Sequence, residues 1–305
     1  MKRILSLLLL AIPTLLMARK DNIVIIYEND AHCNLAGYAK MATLKADVRK
    51  ETKNVLTVSG GDFTVDFMSR NTLGTKSEGS GIMTVMNSIG YDYIVPGNHD
   101  FDFGVQAMQD NFNTLDATVT CCNFQRVNDG SSVYTGYAIR KIGGKKIAFI
   151  GVATPRSMSG RNRQLFSDED GNVLYTFCEE SLPKTVQTNV DLARSKGADC
   201  VIVLSHLGDK QNSRPTSLEL IASTTGIDVI LDAHAHSVIP DRRVPNKDGK
   251  EVILTSAGLK FANIGLLKIA EDGTITPTLI PTDGIESDEA TLKLIDELKK
   301  EYGLE

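Results

Sequence analysis

The sequence predicts a layered α/β fold on largely parallel sheets. Short apolar, β-branched runs recur at residues 23–27, 55–59, 93–97, 117–122, 146–153, 200–205, 228–232, 251–256 and 264–270. Helix-like segments, for example 38–53, 80–90, 182–197 and 216–225, separate many of them. Strand alternating with helix indicates a mostly parallel sheet. Runs such as IVIIY and CVIVLS are continuous rather than alternating, so they read as strands buried on both faces.

Taken in order, these strands end in polar tips. Strand 23–27 leads into Asn29-Asp30-x-His32, and strand 55–59 into Gly60-Gly61-Asp62. Strand 93–96 leads into Gly97-Asn98-His99-Asp100, and strand 200–204 into Ser205-His206. Strand 228–231 leads into Asp232-x-His234-x-His236. Ligands of α/β sheets bind in the crevice outside the carboxyl ends of the strands, so five tips converge on one rim. Glycines 60, 61 and 97 allow tight turns there. Residues 264–282 read as antiparallel strands around a turn at Asp272-Gly273. Residues 287–302 read as an amphipathic helix, acidic to basic along its length, with Ser287 as its N-cap.

A chain of 305 residues with 42% hydrophobic content can bury a full core. Its net charge is −5, which argues against the basic stripe a nucleic-acid groove requires. There is no tryptophan. Residues 1–18 read as a signal peptide: Lys2 and Arg3, an apolar stretch over 4–17 interrupted by Pro13, then Ala18 as the small residue before cleavage. Leu16 stands three residues before that bond where the A-x-A pattern has a small residue, so the pattern is half met, and an uncleaved N-terminal anchor is the other reading. Either way the folded part is expected outside the cytoplasm, periplasmic or secreted. Five cysteines are an odd number for an exported chain. Cys121 and Cys122 are adjacent, and a bond between them would be strained. Cys200 reads as a buried small hydrophobe, and its pairing with Cys178 stays open.

The tips define the chemistry. Asp30, His32, Asp62, Asn98, His206, His234 and His236 offer more hard or borderline ligands than one mononuclear site needs. Two metals sharing a carboxylate would use them all. Imidazole with carboxylate suits two divalent ions such as Zn, Mn, Co, Fe or Mg, and the absence of thiolates argues against a closed structural zinc site. Such a pair points to hydrolysis of phosphate esters. Taken singly, His206 reads as a structural histidine, and His234 with His236 reads equally as a surface pair or as ligands; beside the other tips His206 reads as a ligand.

The run D-x-H, G-G-D, G-N-H-D, S-H and H-x-H resembles the calcineurin-like metallophosphoesterase superfamily. The segments GIMTVMNSIGYDYIVPGNHDFDFG, VIVLSHLGD and LIASTTGIDVILDAHAHS are similar to the periplasmic 5′-nucleotidase and UDP-sugar hydrolase family. The similarity covers roughly residues 22–285. It implies a four-layer αββα sandwich: a phosphoesterase domain over 19–285, with 286–305 resembling an inter-domain linker. It implies that Asp30, His32 and His236 bind one metal, that Asp62 bridges, and that Asn98, His206 and His234 bind the other. It casts His99 as proton donor rather than ligand, oriented by Asp102. Read alone, Asp102 is also a candidate cap for a helix beginning near Gly104. Asn123 resembles the family's strand-end asparagine near the substrate, and reads equally as a turn residue. Arg156, Arg161 and Arg163 read as solvated surface.

The sequence departs from the family at Asp232-Ala233, where glycine usually precedes H-x-H, and at Cys33, where a small glycine follows D-x-H. Asp232 is expected to hydrogen-bond a ligand histidine or to crowd its loop, and Cys33 to place a thiol near the metals. Family nucleotidases carry a C-terminal domain that recognises the base. The expectations are a separate polypeptide supplying it, or a stand-alone phosphodiesterase or phosphatase of broader specificity. A non-catalytic metal-binding module is the reading from a different class.

Overall fold

The computed structural model describes residues 22–304, so the signal-peptide reading of residues 1–18 lies outside the described residues. The first half of the chain runs β1 (Ile23–Glu28), α1 (Leu35–Glu51), β2 (Val55–Ser59), α2 (Leu73–Lys76), α3 (Ser80–Ile89), β3 (Tyr93–Ile94), α4 (Gly104–Phe112), β4 (Thr118–Val119) and β5 (Gln125–Arg126). There follow β6 (Tyr137–Ile142), β7 (Lys145–Val152), β8 (Tyr175–Thr176), α5 (Leu182–Ser195), β9 (Cys200–Ser205), α6 (Ser217–Ser223) and β10 (Val229–Asp232). The chain closes with β11 (Val238–Pro245), β12 (Glu251–Ala257), β13 (Asn263–Ile269), β14 (Ile275–Pro281) and α7 (Glu289–Glu301).

Two six-stranded sheets carry the fold, in the orders β14-β13-β1-β2-β3-β4 and β11-β12-β10-β9-β7-β6. Strands β1 to β4 are parallel, and β13 joins them antiparallel, with Ile25 opposite Leu267. In the second sheet β12, β10, β9 and β7 are parallel, flanked by antiparallel β11 and β6.

The two-residue period of a strand builds three cores from these sheets. In β1, Ile23, Ile25 and Tyr27 face the second sheet, whereas Val24 and Ile26 face the core shared with Tyr38 and Met41 of α1 and Met86 of α3. In β9, Cys200, Ile202 and Leu204 meet the first sheet, while Val201 and Val203 pack with Val186 and Val190 of α5. Helix, sheet, sheet, helix is therefore the layer order, the αββα sandwich expected. Each fully buried isoleucine or phenylalanine in these layers contributes roughly 1.5–3 kcal/mol. Among the described residues no helix is long and apolar enough to cross a membrane.

Three local expectations need correction. Strand 93–97 shortens to Tyr93–Ile94 and strand 117–122 to Thr118–Val119. Both lie at the edge that leads to the rim, where the backbone leaves the sheet to deliver polar groups. The cap of α7 is Asp288, not Ser287: its carboxylate accepts the Thr291 N–H at 2.8 Å, which also places a negative charge at the positive helix end. The turn at Asp272-Gly273 is found, with Gly273 at φ 90° joining β13 to β14. All five cysteines are free thiols, and Cys200 lies in the core between the sheets.

Candidate metal centre

The ends of β1, β2, β9 and β10 meet at one rim and bring two triads together: Asp30, His32 and His236, and Asp62, His206 and His234. Within each triad the ligand atoms lie within 4.8 Å of one another, the spacing of groups around a single ion. Asp62 joins them. Its Oδ2 is 3.2 Å from His206 Nε2 in its own triad and 3.7 Å from His32 Nε2 in the other. Asp30 Oδ1 lies 3.6 Å from His236 Nε2 and 4.0 Å from His206 Nε2. Asp62 thus has one oxygen within reach of both groups, the position a bridging carboxylate requires.

The backbone at the rim is unusual. Asp30, His32, Asp62, His234 and His236 all have positive φ, between 43° and 68°. Non-glycine residues seldom adopt this region, and clusters of them mark sites where the surroundings enforce strain. Gly97 is there for space: a Cβ at this position would lie 2.2 Å from Asp62 Oδ1 and 2.6 Å from His206 Cε1.

The sequence reading missed the residue that ties these loops together. Asp100 is buried, and its carboxylate accepts five hydrogen bonds. Oδ2 receives the N–H groups of Asp62 (2.9 Å) and Gly97 (2.8 Å); Oδ1 receives those of Phe63 and Thr64 and the Thr64 hydroxyl. It stands next to His99 in G-N-H-D, where its sequence signal is overshadowed by its neighbours. Asn29 was missed as well. Its amide donates to Asp30 Oδ2 at 2.7 Å and accepts from Ala257 N–H, orienting the carboxylate.

The donor set fits divalent ions. His32 Nδ1 lies 2.9 Å from the Val65 carbonyl and His206 Nδ1 2.7 Å from that of Gly60. A carbonyl only accepts, so each Nδ1 carries the proton and each Nε2 can present a lone pair. His206 Nε2 and Asn98 Oδ1 are buried without a hydrogen-bond partner in the structure, although such atoms are nearly always satisfied. A cation would satisfy both. Burial lowers the pKa of His234 to about 3 and of His236 to about 4, and lowers that of His32 as well, which keeps these imidazoles neutral as ligands must be. Burial opposes ionisation of Asp62, but the charge and hydrogen bond of His206 outweigh it together with His99 and hold the carboxyl well below its usual range. Against the effect of burial, the carboxylate in turn raises the His206 pKa to about 10, and an ion would displace that proton.

His99 belongs to neither triad. Its Nδ1 pairs with Asp102 Oδ2 at 3.0 Å, and its backbone N–H donates to Asp62 Oδ1 at 2.7 Å. Burial by itself would lower its pKa, but the bond to Asp102 and the charges of Asp62, Asp102 and Asp100 prevail and raise it to about 9. Asp102 does not cap α4, whose first turn has no side-chain cap. The structure therefore pairs His99 with Asp102, the contact that the resemblance implies.

The family model for the calcineurin-like phosphoesterase matches residues 23–238. The chain belongs to the calcineurin-like phosphoesterase family. It is 25% identical to a 5′-nucleotidase of Rattus norvegicus over 87% of this chain and 50% of that protein. It is 25% identical to a 2′,3′-cyclic-nucleotide 2′-phosphodiesterase/3′-nucleotidase of Haemophilus influenzae over 73% of this chain and 36% of that protein. The chain thus spans half or less of the length of these curated relatives. Among solved structures, a 5′-nucleotidase precursor from Thermus thermophilus superposes with a TM-score of 0.75 at 21% identity, covering 92% of this chain and 59% of that one. A calcineurin-like phosphoesterase from Bacillus subtilis gives 0.75 at 19% identity, covering 92% and 97%. At these identities the superpositions speak for the fold.

Two features set this member of the calcineurin-like phosphoesterase family apart in ways the sequence reading placed differently. Asp232 contacts no ligand histidine. It accepts Ser217 Oγ at 2.6 Å and Gly208 N–H at 3.1 Å, pinning the loop after His206 to the start of α6. Cys33 turns its sulfur to the N–H of Gly74 at 3.2 Å and joins the outer apolar core, where burial raises its thiol pKa. Asn123 is likewise occupied. Its amide donates to the carbonyls of Ala153 and Phe177 and accepts from Ala153 N–H, so it clamps two loops and leaves no polar group free for a substrate. Arg156, Arg161 and Arg163 are exposed, as expected for surface, although the charge of Arg156 is close enough to help lower the pKa of His234.

Proposed function

We propose that the protein is a dinuclear, metal-dependent phosphoesterase acting on phosphomonoesters of the nucleotide type. The observation that carries this reading is the Asp62 carboxylate, with one oxygen in reach of both triads. Asp30, His32 and His236 would hold one ion. Asn98, His206 and His234 would hold the other, with Asp62 shared. When bound, two divalent ions neutralise phosphoryl charge and activate water at neutral pH.

The remaining work falls to side chains. His99, protonated below about pH 9, gives its proton to the ester oxygen as the phosphorus–oxygen bond breaks. Asp102 fixes the ring so that Nε2 carries that proton outward. The Asp62-to-His99 backbone bond ties the acid to the metal cradle, which holds proton donor and phosphoryl group in register. A non-catalytic binding module needs no such acid. The charged, apolar and small-residue succession over residues 1–18 supports export.

The test is hydrolysis of AMP, a UDP-sugar, a 2′,3′-cyclic nucleotide and an aryl phosphate by chelator-dialysed protein with Mn, Zn, Co or Mg restored. Metal-dependent release from AMP supports the nucleotidase reading. Cleavage of the cyclic ester alone moves the assignment to the phosphodiesterase class. No turnover with any ion refutes the enzyme reading.

A further inference from the structure

We propose that Phe67 is a specificity-determining residue, an aromatic platform that stacks on a flat, aromatic leaving group of the ester. This inference rests on the phosphoesterase reading and adds to it the class of leaving group.

The ring stands where few apolar side chains do, at the lip of a polar centre. It meets His32 edge-on at 4.7 Å between centroids, and lies nearly parallel to His236 at 5.7 Å and to His99 at 6.1 Å. One phenylalanine thus touches a ligand that is fully buried, a ligand that is part-exposed and the proton donor. Exposed phenylalanines are common enough on surfaces to need no explanation. This one has 44% of its surface open while its ring pairs with three site histidines.

The loop that carries it is latched. His32 Nδ1 donates to the Val65 carbonyl at 2.9 Å. Asp66 accepts Lys260 Nζ and the Met68 N–H, each at 2.8 Å. Lys260 in turn donates its own N–H to the Asp30 carbonyl at 2.8 Å, and its Nζ lies 5.6 Å from the Phe67 centroid. The platform is therefore tied to the loop that carries Asp30 and His32, directly and through Lys260, and its position is set before substrate arrives.

The direction of the leaving group follows from His99. The proton passes to the ester oxygen, so the carbon skeleton attached to that oxygen emerges beside His99, along the wall that Phe67 forms. An exposed aromatic face there favours a planar partner in offset-stacked geometry. An alkyl or polyol leaving group gains little from it.

The experiment compares kcat/KM of wild type and Phe67→Ala on 4-nitrophenyl phosphate and on ethyl phosphate. Taking the ratio of mutant to wild type on each ester removes the difference in leaving-group basicity. The aryl ester should lose about tenfold and the alkyl ester less than about twofold, with Phe67→Tyr near wild type. Equal losses on both esters overturn the proposal, since they describe a ring that only supports the site. A second readout does not need turnover. The chain has no tryptophan, so Phe67→Trp creates a single reporter. In the metal-loaded protein, phenylphosphonate should quench its emission saturably and methylphosphonate should not; a response to neither, or alike to both, overturns the proposal. If wild type hydrolyses neither ester, the tryptophan titration alone decides on the platform, and hydrolysis of AMP decides separately on the phosphoesterase reading.

Discussion

Replacing Asp100 with asparagine tests whether the metal cradle is held from behind. The aspartate accepts five hydrogen bonds, three on one oxygen and two on the other. Asparagine keeps one acceptor oxygen and turns an NH2 group on the remaining donors. With the oxygen kept on the three-donor side, the N–H groups of Asp62 and Gly97 are left buried and unpaired. At about 1–3 kcal/mol for each orphaned group, the loss is about 2–6 kcal/mol. In a chain of this size that lowers the unfolding midpoint by roughly 5–15 °C. Asp102→Asn is the control: it removes the same charge two residues away, from a part-exposed side chain. Thermal unfolding of the metal-free proteins by circular dichroism, with metal content by elemental analysis after reloading, reads both effects. Asp100→Asn should melt well below wild type and hold metal more weakly, because the N–H groups it orphans fix Asp62 and the turn before Asn98. A midpoint within about 2 °C of the Asp102→Asn control refutes the reasoning.

Further outcomes follow from the same geometry. Asp62→Ala should abolish binding of both ions, whereas His236→Ala should remove one, as elemental analysis reads directly. His99→Ala should lower turnover by about 10²- to 10⁴-fold and leave metal content unchanged; loss of metal would make His99 a ligand. The raised His99 pKa means the acid is protonated below about pH 9, so activity should fall as pH rises through that region. Asp102→Asn keeps an acceptor for Nδ1 but removes the charge that helps raise it, and the alkaline limb should move to lower pH. Native protein treated with a chromogenic disulfide should titrate Cys178 first, since Cys33, Cys121, Cys122 and Cys200 are buried.

The candidate ligands were legible because strand ends are short in sequence and close in space. Five tips carrying Asp30, His32, Asp62, Asn98, His206, His234 and His236 needed only the rule that parallel strands present their carboxyl ends to one rim. The layers were legible from continuous apolar runs. What lay hidden depends on side-chain direction. Asp100 reads as one more acid in G-N-H-D until its five donors are seen to come from the loops after β2 and β3. Asp232 and Asn123 looked like groups for ligand or substrate, yet both are consumed by backbone and hydroxyl partners of neighbouring loops. Phe67 carries no periodicity at all. Its place against His32, His99 and His236 is set by the Asp66–Lys260 ion pair, between residues 194 positions apart.

The left-handed backbone at Asp30, His32, Asp62, His234 and His236 sets the protein's stability against its purpose. Each such residue costs of order 1–3 kcal/mol, and glycine or asparagine at these places would relieve much of it. Selection for heat resistance alone would therefore drift toward those residues and erase the centre one ligand at a time. A library screened for melting point should be expected to return variants that fold better and hold less metal, and any effort to harden this chain has to leave those positions untouched.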